Sequence, residues 1–101
     1  MCEGGNVRSV GLGWALKCRG QDALAIGWRF VSPETKDMLF KWADYIVVMQ
    51  AKFKEYVPDE FLGKCRVVDV GEDNYGNPFH ETLQNFVQQV AESWKQKNWE
   101  L

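Results

Sequence analysis

Two short stretches, "DYIVVMQ" and "CRVVDVG", constrain the fold of this chain more than anything else in it. Each is a nearly unbroken apolar run bounded by polar or glycine positions. A strand with one wet face alternates in polarity, and a strand covered on both faces does not. The runs therefore predict strands at about 45–49 and 66–70, each buried between two layers. A shorter run, "DALAIG", ends at Gly27 and predicts a third strand at about 23–27.

The segments between these runs read as helices. "RSVGLGWALKCRG" predicts a helix from about Ser9 to Cys18, stopped by Gly20, with Gly11 and Gly13 permitting close packing. "SPETKDMLFKWA" has a marked start: Ser32 caps it, Pro33 suits its first turn, and Met38, Leu39, Trp42 and Ala43 form one apolar face. "AKFKEYVPDEFLGK" is helical in two pieces broken at Pro58. Asn77 and Pro78 start a long last helix carrying Phe79, Leu83, Phe86, Val87, Val90 and Trp94, and the polar tail, 96–101, is expected to fray. Strands alternating with helices predict a parallel sheet sandwiched by helices. At 101 residues this is one domain, 1–101. Such a sheet normally starts on a strand, whereas this order starts on a loop and a helix. The expectation is that a first strand, ending just before Cys2, is missing.

Composition narrows the function. Hydrophobic residues make up 46% and aromatic residues 14%, enough for a core, and five tryptophans suggest a filled interior or an aromatic-walled pocket. A net charge of −2 argues against a dominant nucleic-acid surface. No apolar run approaches the roughly 20 residues of a membrane span, and no cleavable signal pattern is visible. Three cysteines and one histidine make neither a disulfide framework nor a zinc site, and they fit a reducing cytoplasm. No cofactor is expected.

The chemistry concentrates in "CEGGNVRS", Cys2 to Ser9. If a strand led into it, this loop would join a strand's carboxyl end to a helix amino terminus, where open α/β sheets bind ligands. Backbone N–H groups and the helix dipole attract a phosphate there. Gly4 and Gly5 let the backbone curl inward. Arg8 can fork two donors onto phosphate oxygens. The same positive field favours the Cys2 thiolate, to which Ser9 can donate, and a thiolate so placed points to covalent catalysis through a thiophosphate. A general acid must then protonate the leaving oxygen. "DVGEDNYGNPF" offers Asp73 in the loop and Asp69 at the strand end, although both also read as ordinary loop acids, with an Asx turn at Asp73 or Asn74.

The pattern resembles the low-molecular-weight protein tyrosine phosphatases, and more closely their small bacterial and phage-type relatives. "CEGGNVRS" fits their signature of Cys, five residues, Arg, Ser. "SPETKDMLFKWADYIVVMQ" is similar to their helix followed by an "AD-hydrophobic-M" strand, and "DNYGNPFHETLQNFVQQV" to the acid loop leading into the last helix. The resemblance implies a three-layer α/β/α, flavodoxin-like parallel sheet whose first, central strand is absent from this chain. It implies hydrolysis of phosphotyrosine or a small aryl phosphate on a phosphorylated partner or substrate. Cys2 would be the nucleophile, Arg8 the phosphate clamp and Asp73 the general acid. Gly4, Gly5, Asn6, Val7 and Ser9 would cradle the phosphate, and Trp28 and Tyr75 would wall the pocket. Asn74 stands where the family has proline after the acid.

Other readings stay open. A phosphocarrier of the phosphotransferase-system IIB type also presents a glycine-rich cysteine loop, and needs no acid. A truncated, non-catalytic anion-binding or interaction module is another. Arsenate reduction would need resolving cysteines, whereas Cys18 and Cys65 read as small core residues. Open sheet edges would favour a homodimer. With only the following helix to pin the loop, Met1 to Gly5 are expected to be mobile or borrowed by a neighbour, and turnover to be impaired.

Overall fold

The computed structural model describes the whole chain except Glu3, Gly5, Asn6, Trp28, Phe30 and Asp73. Among the described residues it holds three α-helices, two 3₁₀ helices and a two-stranded parallel sheet, an α/β arrangement. The strands are β1 (Ile46–Val48) and β2 (Cys65–Val67), with Ile46 opposite Cys65 and Val48 opposite Val67. Both are shorter than the apolar runs that predict them. Pairing nonetheless continues past their ends, since Val68 N–H donates to the Val48 carbonyl at 2.9 Å and Val70 N–H to Met49 at 3.3 Å.

The strand expected at about 23–27 does not form as a regular element. Residues 21–26 carry no assigned structure, and Gly27 makes an isolated parallel bridge to Cys2. Strand geometry persists where a neighbour supplies the ladder, and here the neighbour is two residues long. Met1 and Cys2 lie between this segment and β1. The Met1 amine donates to the Val47 carbonyl, Met49 N–H donates to Met1 at 3.1 Å, and Cys2 N–H donates to Ile26 at 3.3 Å. The order across the sheet is thus 26–27, 1–2, β1, β2. Met1 and Cys2 are 7% and 2% exposed, which corrects the expectation that the start of the chain is loose: these two residues are core, held by backbone pairing on both sides.

The helices follow their local signals. α1 (Arg8–Lys17) ends in a turn at Gly20, whose φ of +82° suits a residue without a Cβ. α2 (Pro33–Trp42) has Ser32 as its cap, the hydroxyl accepting from Thr35 N–H at 3.2 Å, with Pro33 in the first turn. Its buried residue is Phe40, whereas Met38 and Trp42 are 61% and 57% exposed. The apolar face read from the sequence is therefore rotated, because Phe40 reaches Phe61 across the interior, ring centroids 5.7 Å apart. Pro58 separates the 3₁₀ helices Ala51–Tyr56 and Asp59–Lys64.

α3 (Glu81–Gln96) starts later than Asn77 and Pro78 suggest. The Asn77 side chain accepts from Phe79 N–H at 2.7 Å and closes a turn, and His80 becomes the cap, Nδ1 accepting from Thr82 N–H at 3.2 Å. Leu83, Val87 and Ala91, four residues apart, are fully buried, while Phe79 and Phe86 stay exposed. Gly11 is what lets α1 approach α3. A Cβ there would lie 2.9 Å from the Pro78 carbonyl and 3.0 Å from Leu83 Cδ2.

The four described tryptophans do not fill the interior, since Trp14 and Trp42 are exposed and Trp94 and Trp99 half-buried; Trp42, Trp94 and Trp99 instead wall one cavity, the other alternative read from the composition. One further expectation is corrected: the tail beyond Lys95 is tied rather than frayed. Arg66 donates to the main-chain oxygen of Leu101 from Nε at 2.9 Å and Nη2 at 2.6 Å, and Leu101 N–H donates to the Tyr45 hydroxyl at 3.3 Å. Among the described residues no helix is long and apolar enough to cross a membrane.

Candidate anion-binding loop at Cys2

Cys2 stands where its pairing segment ends, and α1 begins at Arg8. The first N–H groups of an α-helix have no intrahelical acceptor. Val7, the residue before α1, offers no side-chain cap for them, and no acidic residue occupies the first turn. That end therefore presents the positive end of the helix dipole, with no cap or first-turn acid among the described residues. Cys2 Sγ lies 3.1 Å from Ser9 Oγ, both buried, so the hydroxyl of the first helical turn and the thiol are in hydrogen-bond contact.

Arg8 is 3% exposed, unusual for a guanidinium. Nη1 donates to Gln50 Oε1 at 2.5 Å and to the Gly71 carbonyl at 2.8 Å. The guanidinium carbon is 5.3 Å from the centroid of the Phe53 ring. Among the described residues Nε is buried with no hydrogen-bond partner. A buried cationic donor without an acceptor is costly. Gln50 is itself held from beyond: its Nε2 donates to Glu72 Oε1 at 3.2 Å, and Lys52 Nζ lies 3.3 Å from the same oxygen. Hydrogen bonds from Gln50 and then Lys52 hold the Glu72 carboxyl below its ordinary range.

Of the residues singled out by sequence, the structure brings Cys2 and Ser9 into contact, and the guanidinium of Arg8, next to Ser9 in the first turn of α1, turns to Gln50 and Gly71. Gly4 and Val7 are half-buried beside them, Val7 against the core. Gly5, Asn6, Trp28 and Asp73 lie outside the described residues. Tyr75 is half-buried, but its hydroxyl donates to the Val70 carbonyl at 2.6 Å and its ring meets His80 with centroids 5.5 Å apart, so it braces its own loop. Asp69 accepts from Gly71 N–H at 2.9 Å and closes the turn in which Gly71 has φ +76°. Its carboxylate therefore has a turn-forming role, which the sequence reading had placed at Asp73 or Asn74 instead. Cys18 is exposed and not a core residue, while Cys65 is buried, and burial pushes its thiol up.

Sequence reasoning missed Gln50, Phe53 and Glu72. One signal was available: Gln50 is a polar residue directly after the apolar run of β1, at the strand's carboxyl end, where ligand contacts in α/β sheets gather. Phe53 and Glu72 carried no comparable mark. Among the described residues no group of three His, Cys, Asp or Glu side chains could hold a metal. No family model matches the chain, and no curated protein or solved structure was found to be similar to it.

Proposed function

We propose that this chain hydrolyses phosphomonoesters, aryl phosphates or phosphotyrosine, through a cysteinyl-phosphate intermediate. The observation that carries the reading is the Arg8 Nε, buried with no partner among the described residues, in the same helix amino terminus whose Ser9 hydroxyl contacts the Cys2 thiol. A dianionic phosphate is the ligand whose charge and geometry complement these groups. In the proposed reaction the Cys2 thiolate attacks phosphorus as the P–O bond to the aryl group breaks. Asp73 gives its proton to the departing oxygen. Water then attacks the cysteinyl phosphate, returning a proton to Asp73 and releasing inorganic phosphate and the thiolate. Arg8 and the loop N–H groups hold the equatorial oxygens throughout. The three-layer, flavodoxin-like arrangement is part of the same proposal, and the parallel order 26–27, 1–2, β1, β2 supports it.

The test is p-nitrophenyl phosphate turnover with a rapid-mixing burst. The reading expects a burst of nitrophenol, loss of turnover in Cys2→Ser, and loss of vanadate binding in Arg8→Ala with a retained circular dichroism spectrum. Unchanged turnover in Cys2→Ser would end it.

A further inference from the structure

The contacts that lead from Arg8 out to the surface each have one chemically allowed direction. A guanidinium only donates, so Gln50 must turn its oxygen to it, and Nη1 donates to Oε1 at 2.5 Å. The Gln50 amide nitrogen is then left on the other side, and as a donor it needs an acceptor. Glu72 Oε1 supplies one at 3.2 Å, and a carboxylate only accepts. Lys52 Nζ reaches the same oxygen at 3.3 Å. Gln50 therefore cannot be turned round without setting donor against donor at Arg8 and acceptor against acceptor at Glu72. The second hydrogen of Nη1 goes to the Gly71 carbonyl at 2.8 Å, so both hydrogens of that nitrogen are used. Gly71 and Glu72 are neighbours, and Asp69 closes the turn that carries them by accepting from Gly71 N–H. One turn thus grips Arg8 twice, directly at Gly71 and, through Gln50, from Glu72.

A guanidinium can fork onto an oxyanion end-on, through Nη1 and Nη2, or side-on, through Nε and Nη2. The end-on fork needs Nη1, which Gln50 and Gly71 occupy. Nε has no partner among the described residues. We propose that Glu72 is a positioning residue: acting through Gln50, it fixes the Arg8 guanidinium so that the side-on edge, Nε with Nη2, is the one offered to a phosphate. The choice of phosphate rests on the phosphatase reading, whereas the fixing of Arg8 does not. The proposal also has a sign that charge alone would not give it. The Glu72 side chain is 67% exposed, and its negative charge by itself repels a dianion. Simple removal of that charge should tighten anion binding. Loss of the acceptor that holds Gln50 should weaken it.

Two measurements separate fixing from binding, each made on the unsubstituted chain and on Glu72→Gln, Glu72→Ala and Gln50→Ala. Glutamine at 72 keeps an acceptor for the Gln50 amide and loses the charge, and alanine loses both. The first measurement is ¹⁵N relaxation of the Arg8 Nε–H group without ligand. Its order parameter is expected to stay unchanged in Glu72→Gln and to fall by about 0.2 or more in Glu72→Ala and Gln50→Ala. The second is vanadate titration. Binding is expected to be about threefold to tenfold weaker in Glu72→Ala and within about twofold of the unsubstituted chain in Glu72→Gln, with no further loss when Glu72→Ala is added to Gln50→Ala. An unchanged order parameter in Glu72→Ala would overturn the proposal. So would equal effects of glutamine and alanine, which would assign the part of Glu72 to its charge. Absence of vanadate binding by the unsubstituted chain would refute the phosphatase reading and the choice of phosphate with it, while the order parameters would still decide whether Glu72 fixes Arg8.

Discussion

Raising the pH from about 5 to about 8.5 is expected to stabilise this chain more than a chain acetylated at Met1, by about 2.7 kcal/mol. The amine of Met1 titrates near 6 when folded against 8.0 ordinarily, chiefly because burial strips its charged form of water. Two pK units correspond to about 2.7 kcal/mol at about 1.36 kcal/mol per unit. The sign follows from proton counting. Between pH 6 and 8 the unfolded chain holds a proton on this amine that the folded chain has released. Stability therefore rises with pH across that window, and below the folded pKa the full penalty is present. Acetylation removes the titrating group and keeps an N–H for the Val47 carbonyl. All other ionisations cancel in the difference. Urea unfolding of both forms at a series of pH values measures it, and for a domain of this size the gap corresponds to roughly 10 °C or more in Tm. A difference between the two forms that stays flat from pH 5 to 8.5 would refute the burial of this amine.

Two substitutions test the packing and the site. Gly11→Ala is expected to destabilise by about 1–3 kcal/mol because its Cβ meets the Pro78 carbonyl and Leu83. Gly13→Ala, with nothing within 4 Å, should be neutral or stabilising by up to about 1 kcal/mol, and urea unfolding compares the two. Gln50→Ala removes an acceptor that fixes Arg8 and is expected to weaken vanadate binding about tenfold or more, as titration would show; an unchanged Kd would mean that Gln50 does not position the guanidinium.

What the sequence revealed, and what it hid, follows from how local each signal is. The apolar runs around β1 and β2, the Ser32–Pro33 start, the break at Pro58 and the Gly20 stop all depend on residues within a few positions of one another, and all appear in the structure. The strand at about 23–27 depended on a neighbour, and among the described residues its one bridge is at Gly27. The face of α2 failed because Phe40, Met38 and Trp42 are all apolar, and only the position of Phe61 decides which turns inward. At the site, Cys2, Arg8 and Ser9 were visible because one helical turn and one loop bring them together. Gln50 and Gly71 arrive from other strand ends, 42 and 63 residues from Arg8, and no spacing rule reaches that far.

Those strand ends gather the candidate site at one edge of the sheet. The described strands run parallel, so the sheet has a carboxyl edge and an amino edge. Gln50 and Gly71 lie beyond the carboxyl ends of β1 and β2 and hold Arg8 there. The hydrogen bonds of the Met1 backbone to Val47 and Met49 set where the Cys2 thiol stands relative to Ser9.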